Sequence, residues 1–177
     1  MKIVIAPDSF KESMSAVQAA CAMAEGARRA CPDAEIITIP LADGGEGTAE
    51  ALVNATGGRL LEATVTGPLG RPVGAKFGLL GDGRAAVVET AAASGLALVP
   101  RNRRNPMLTT SRGTGELMMR ALDAGARRLI VAVGGSATVD GGIGMAEALG
   151  IRFLDAAGRP VGRGGRALAA ISAVDVS

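Results

Sequence analysis

The stretch "RLIVAVGGSATVDGGIGMAEALG", residues 128–150, decides how the chain is read. It opens on an apolar, β-branched run of the kind found in a strand buried on both faces. "GGSATVDGG" reads as the loop that follows. A helix is predicted from Ile143 to Leu149, stopped by Gly150. One passage thus holds strand, loop and helix. Within it, "DGGIGMAEAL" (140–149) repeats "DGGEGTAEAL" (43–52), with eight of ten positions identical. Each copy follows a predicted strand and opens a predicted helix.

The same unit recurs toward the N-terminus. "KIVIA" (2–6) is a short strand, and "PDSFKESMS" is its loop. Ser15 and Gln18 make a capping box, in which each side chain satisfies the other's free backbone N–H. A helix is predicted from Ala16 to Ala30, broken by Pro32 and Asp33. "EIITIP" (35–40) is the next strand, "LADGG" its loop, and Glu46 to Ala55 the next helix, closed by Gly57 and Gly58. Residues 59–90 differ. "RLLEATVTG", "VGAKFGLL" and "RAAVVET" are strand-like, joined by "PLGRP" and "GDG", and Asp82-Gly83 signals a hairpin. They read as an antiparallel, β-rich insert in a chain that otherwise alternates β and α. A long polar loop covers 100–113, Thr114 is placed to cap a helix from Gly115 to Ala124, and "IRFLDAAGRPV" reads as a hairpin. The alternation predicts an α/β fold with a mainly parallel sheet. In such sheets ligands bind beyond the carboxyl ends of the strands.

Composition removes several functions. The chain has 177 residues, 48% of them apolar, which is enough for a buried core. It has no His, which excludes Ser-His and Cys-His catalysis and His-ligated metals. Three Phe with no Tyr or Trp give no platform for stacked bases, and the net charge is only +2, so nucleic acid is not an expected partner. Cys21 and Cys31 form no CxxC pattern and read as ordinary thiols. The N-terminal apolar run is too short for a signal peptide, and no run approaches the ~20 residues of a membrane span. A cytoplasmic location without membrane contact is expected.

The chemistry must therefore rest on carboxylates, lysine, hydroxyls and backbone N–H groups. Asp8, Asp43 and Asp140 each follow a predicted strand. A parallel sheet brings such residues to one edge, where carboxylates serve as a base or hold Mg2+; Asp43 and Asp140 are the candidate metal ligands. Lys11 is one of three lysines against sixteen arginines, and it lies in a strand-end loop suited to holding phosphate. "GGSAT" builds an anion nest from Gly134, Gly135, Ser136 and Thr138, which Gly141 and Gly142 extend. "TTSRGTGE" (109–116) offers hydroxyls before a helix. No GxxxxGK[ST] occurs, so an ordinary P-loop is excluded.

"APDSFKESMSA", "PLADGGEGT", "ETAAASGLALVP", "NPMLTTSRGTGEL" and "VAVGGSATVDGGIGMAEALGIRF" together resemble the bacterial glycerate kinase family of the glycerate 2-kinase type. The resemblance runs in order from residue 3 to about 160. It departs after Lys11, where Glu12-Ser13-Met14 replaces the more usual Gly-Ser-Leu. It implies ATP and Mg2+ as cofactors, D-glycerate as substrate, and phosphorylation to 2-phosphoglycerate. It also implies a Rossmann-like, mainly parallel α/β domain interrupted by a smaller β-rich α/β domain. The expected boundaries are 1–58 with 112–177 for the first, incomplete at its C-terminus, and 59–111 for the insert. Asp8, Lys11, Asp43 and Asp140 are the expected catalytic set. Lys11, Arg101, Ser111 and Arg112 are open choices for the substrate carboxylate, with Ser9 and Glu46 beside them. Family members are longer than this chain, so it reads as an N-terminal portion. The alternatives are an inactive fragment that folds or binds ligand, and a kinase for another small hydroxy acid. A homodimer is an admissible assembly.

Overall fold

The computed structural model describes residues 1–10 and 13–177. Strand β1 (Lys2–Ile5) pairs in parallel with β2 (Glu35–Thr38), Lys2 opposite Glu35 and Ile5 opposite Thr38. Helix α1 (Ala16–Ala30) connects them. Its start is the predicted capping box: Ser15 N–H donates to Gln18 Oε1 at 2.9 Å, and Gln18 N–H to Ser15 Oγ at 3.2 Å. Buried Ala20 and Ala24 form a small cluster with Ile5, and Ile3 and Ile36 pack against it.

Helix α2 (Thr48–Thr56) leads into a four-stranded sheet in the order β3 (Arg59–Thr66), β4 (Pro72–Leu79), β5 (Ala85–Glu89) and β6 (Arg128–Ala132). Tight turns join β3 to β4 and β4 to β5, so both pairings are antiparallel. The predicted Asp82-Gly83 turn is present: Gly83 has φ +64°, and Asp82 Oδ1 accepts from Arg84 and Ala85 N–H, both at 2.9 Å. A helical crossover of α3 (Thr90–Ser94) and α4 (Arg112–Asp123) then returns the chain, and β6 pairs with β5 in parallel. Helix α5 (Ile143–Ala148) follows. Strands β7 (Arg152–Leu154) and β8 (Ala173–Asp175) form an antiparallel pair of their own.

Every residue of β5 is buried, because helices cover both of its faces. Ala86 and Val88 join Phe77, Leu79, Leu117 and Ala121 in the main core, on the α4 side. On the other side α2 lies close enough that a Cβ at Gly78 would come within 2.6 Å of Val53 and 2.8 Å of Val87.

The fold is α/β with a mixed sheet: the strands read as an antiparallel unit within 59–90 are antiparallel, while β1–β2 and β5–β6 pair in parallel. The physical reason is connection length: the short turns on either side of β4 permit only antiparallel partners. β5, expected in the 59–111 insert, shares its sheet with β6, expected in the other unit. No helix among the described residues is long and apolar enough to cross a membrane.

Candidate active site

The loops singled out in the sequence meet at strand carboxyl ends. Pairing of β1 with β2 continues past the strands: Ile39 N–H donates to Ile5 O at 2.8 Å and Leu41 N–H to Pro7 O at 2.9 Å. This places the Asp8 loop beside the chain that enters the first Asp-Gly-Gly loop. That loop in turn docks on the one after β6, where Gly134 N–H donates to Gly44 O at 2.8 Å. The approach is so close that a Cβ on Gly134 would lie 2.6 Å from Gly45 Cα and 2.7 Å from Gly45 N. Only glycine fits there.

Exposed groups ring this junction. Asp8, Asp43, Glu46, Gly135 and Ser136 all face solvent, and Ser9 is half-buried. Asp8 Oδ1 accepts from Ser9 N–H at 2.6 Å, and Asp43 Oδ1 from Gly45 N–H at 3.0 Å. Thr90 Oγ1, just beyond β5, donates to Gly134 O at 3.2 Å and lies 2.9 Å from Ser136 Oγ. Lys11 lies outside the described residues.

The second Asp-Gly-Gly loop has a different geometry. The first glycine after each aspartate is left-handed, Gly44 at φ +93° and Gly141 at φ +61°. The helix starts five residues after Asp43 but only three after Asp140. Asp140 is buried, at 1% exposure. Its Oδ2 accepts from Ser111 N–H at 2.8 Å and Ser111 Oγ at 2.9 Å, and its Oδ1 from Gly142 N–H at 3.1 Å. Ser111 Oγ accepts from Met145 N–H at 3.0 Å. Asp140 and Ser111 thus lash the start of α4 to the start of α5. Glycines make the same seam tight: a Cβ at Gly115 would come within 2.2 Å of Met145 O, and one at Gly144 within 2.4 Å of Thr110 Oγ1.

The structure places the other expected site residues as follows. Asp140 was expected to share an open site with Asp43, yet its oxygens are already hydrogen-bonded inside the protein. Ser111, expected at substrate, is buried and donates to Asp140. Arg112 is half-buried, with Nε 3.1 Å from Glu116 Oε1 and Nη1 3.8 Å from Glu147 Oε2. Burial holds the Glu147 carboxyl above its usual range, against the pull of Arg112. Arg101 is exposed in a short turn, Arg101–Arg103. Thr138 is half-buried, Gly141 is exposed, and Gly142 N–H is taken by Asp140.

One group was missed. Glu89, at the end of β5, is 7% exposed, and its Oε1 accepts from Ala49 N–H at 2.6 Å. Burial, with Glu46 and Glu50 nearby, raises its carboxyl above the usual range despite hydrogen bonds from Ala49 and Gly47. Its position at a strand end beside Thr90 was a signal in the sequence, but its partner lies 40 residues away.

Glycine-lined loops gathered at strand ends, with carboxylates exposed beside them, have the geometry in which α/β folds can receive small anions. Comparison with known proteins narrows this. The model of the glycerate kinase family matches residues 3–177. A glycerate kinase of Bacillus subtilis (strain 168) is 60% identical over 177 residues, covering 100% of this chain and 46% of that protein. A glycerate 2-kinase of Escherichia coli (strain K12) is 54% identical over 177 residues, again covering 46% of it. The crystal structure of a Salmonella typhimurium LT2 protein assigned as glycerate kinase 2 superposes with a TM-score of 0.84 at 55% identity, over 100% of this chain and 47% of that one. The chain belongs to the glycerate kinase family. It spans about half the length of the curated relatives it matches.

Proposed function

We propose that this chain is the N-terminal portion of a kinase that transfers a phosphoryl group from ATP to D-glycerate, giving 2-phosphoglycerate. The observation that supports this best is the docking of two glycine loops through Gly134 N–H and Gly44 O, with Asp43 and Glu46 exposed beside them. Glycine lets backbone N–H groups approach an anion, and the start of α2 adds positive potential. Gly135, Ser136 and Gly141 are exposed and suited to phosphate. Lys11 and Arg101 are the cations proposed for the glycerate carboxylate. Asp43 or Asp8 would accept the proton of the attacking hydroxyl.

Mg2+ takes oxygen ligands, commonly one or two carboxylates completed by phosphates and water. Asp43 fits, being exposed with one oxygen in a single local hydrogen bond. Asp140 is the less open of the pair, 1% exposed with two hydrogen bonds on Oδ2 and one on Oδ1. Among the described residues no group of three or more acidic or Cys side chains gathers to hold a metal without substrate. When bound, Mg2+ would offset charge on the transferring phosphoryl. This chain's part is to hold the two loops at one spacing and to keep Asp43 accessible.

A coupled assay of ADP release with D-glycerate, run on this chain and on a full-length form, tests the proposal. Turnover that depends on D-glycerate supports it. Equal or greater turnover with another hydroxy acid would move the substrate. Turnover in the longer form alone would make this chain a folding and binding portion, a reading favoured by its 46% coverage of the relatives.

A further inference from the structure

Glu89 has no part in the chemistry proposed above, yet it is a carboxylate buried where burial and the charges of Glu46 and Glu50 disfavour ionisation. Its surroundings give the reason. Helix α2 begins at a left-handed glycine, Gly47 at φ +95°, which has no side chain to cap the helix. Glu89 supplies the missing acceptor from another strand, taking Ala49 N–H at 2.6 Å. The next residue reaches to the other loop: Thr90 Oγ1 donates to Gly134 O at 3.2 Å and pairs with Ser136 Oγ at 2.9 Å. The loops themselves join through Gly134 N–H and Gly44 O. Two consecutive residues at the end of the central strand thus hold one loop each.

We infer that Glu89 is a positioning residue: its side chain fixes the Asp43–Gly47 loop against the Gly134–Ser136 loop, while Thr90 fixes the second loop independently. That these loops are the site rests on the proposed function; that Glu89 and Thr90 anchor them does not. Glu89 acts through the loop and touches no reacting atom. What it must offer is an acceptor oxygen of the right reach, so glutamine should serve nearly as well as glutamate.

The test is residue-resolved amide exchange by NMR on the 177-residue chain and three variants. Glu89→Ala should raise exchange at Gly47, Ala49 and Gly134 by about tenfold, the usual worth of a buried hydrogen bond, and leave the β3–β4 amides unchanged. Glu89→Gln should restore most of the protection. Thr90→Ala, at a half-buried position and mild for folding, should raise exchange at Gly134 and leave Ala49 protected. A uniform rise across the sheet in Glu89→Gln, no rise at Gly134 in Glu89→Ala, or equal loosening of both loops by Thr90→Ala would each overturn the inference. Should Glu89→Ala fail to fold, the Glu89→Gln and Thr90→Ala spectra decide it alone. Calorimetry with D-glycerate and with ATP and Mg2+ on the same samples reads the other question. Absent binding counts against the proposed function, while the exchange pattern still decides the role of Glu89.

Discussion

Single residues at the loop junction differ by whether they are engaged or exposed. Gly134 has no room for a methyl group, since its Cβ would meet Gly45 backbone at 2.6 and 2.7 Å. Gly134→Ala is expected to destabilise the fold by about 1–3 kcal/mol, as overpacking does, and to weaken anion binding by parting the loops. Urea unfolding beside calorimetry checks both, and an unchanged midpoint would mean that the loops part freely. Glu89 sets a pH dependence. Its carboxyl titrates higher in the fold than its ordinary 4.5, so the folded chain holds that proton where the unfolded chain has released it. Its contribution is therefore most favourable below the ordinary value and declines as pH rises through the raised one. Glu89→Gln lacks that decline. The stability of wild type minus that of Glu89→Gln should fall between acid and neutral pH, as read by thermal melts across that range. A constant difference would contradict the raised carboxyl.

At the scale of elements, the seam between α4 and α5 depends on small residues. Gly115→Val should force α5 away, because its Cβ would sit 2.2 Å from Met145 O, and a clear drop in melting temperature is expected. A melt unchanged within ~1 °C would mean the helices separate without cost. These glycines also mark the limit of what the sequence discloses. Local signals were legible: Ser15 with Gln18 placed the start of α1, and Asp82-Gly83 placed the turn into β5. The start of α4 was not, because Gly113 and Gly115 look like loop chemistry in a string. In the fold they are helical and bare so that Thr66 O and Met145 O can come close. Partners distant in sequence were equally hidden. Nothing in "DGGIG" says that Ser111 will close on Asp140, or in "VVET" that Glu89 will cap α2. Tertiary register decides such pairs, and only the strand-end position of the loops was readable beforehand.

Across the whole molecule, apolar side chains remain uncovered on β1, on β6 and on the loops after β2 and β6. Val4 and Ile130 are exposed on the strands, Ile39, Leu41 and Val139 on the loops, and Val133 reaches 71% exposure. β6 is also the terminal strand of its sheet among the described residues. An open apolar edge invites association. The isolated chain is expected to associate as its concentration rises, and Ile130→Lys to reduce this; light scattering over a dilution series checks it, and a monomer at every concentration would contradict it. Under the proposed function, one repeated motif does two jobs, chemistry at Asp43 and structure at Asp140. The most direct test compares Asp43→Asn and Asp140→Asn by thermal melting and by ADP release with D-glycerate, in a form of the protein that turns over. Asp43→Asn is expected to melt like wild type but lose at least ~10²-fold in turnover, as when a general base is removed. Asp140→Asn is expected to lose about 1–3 kcal/mol of stability, as when a buried acceptor is broken. Near-normal turnover in Asp43→Asn, or a wild-type melt in Asp140→Asn, would contradict this division of roles.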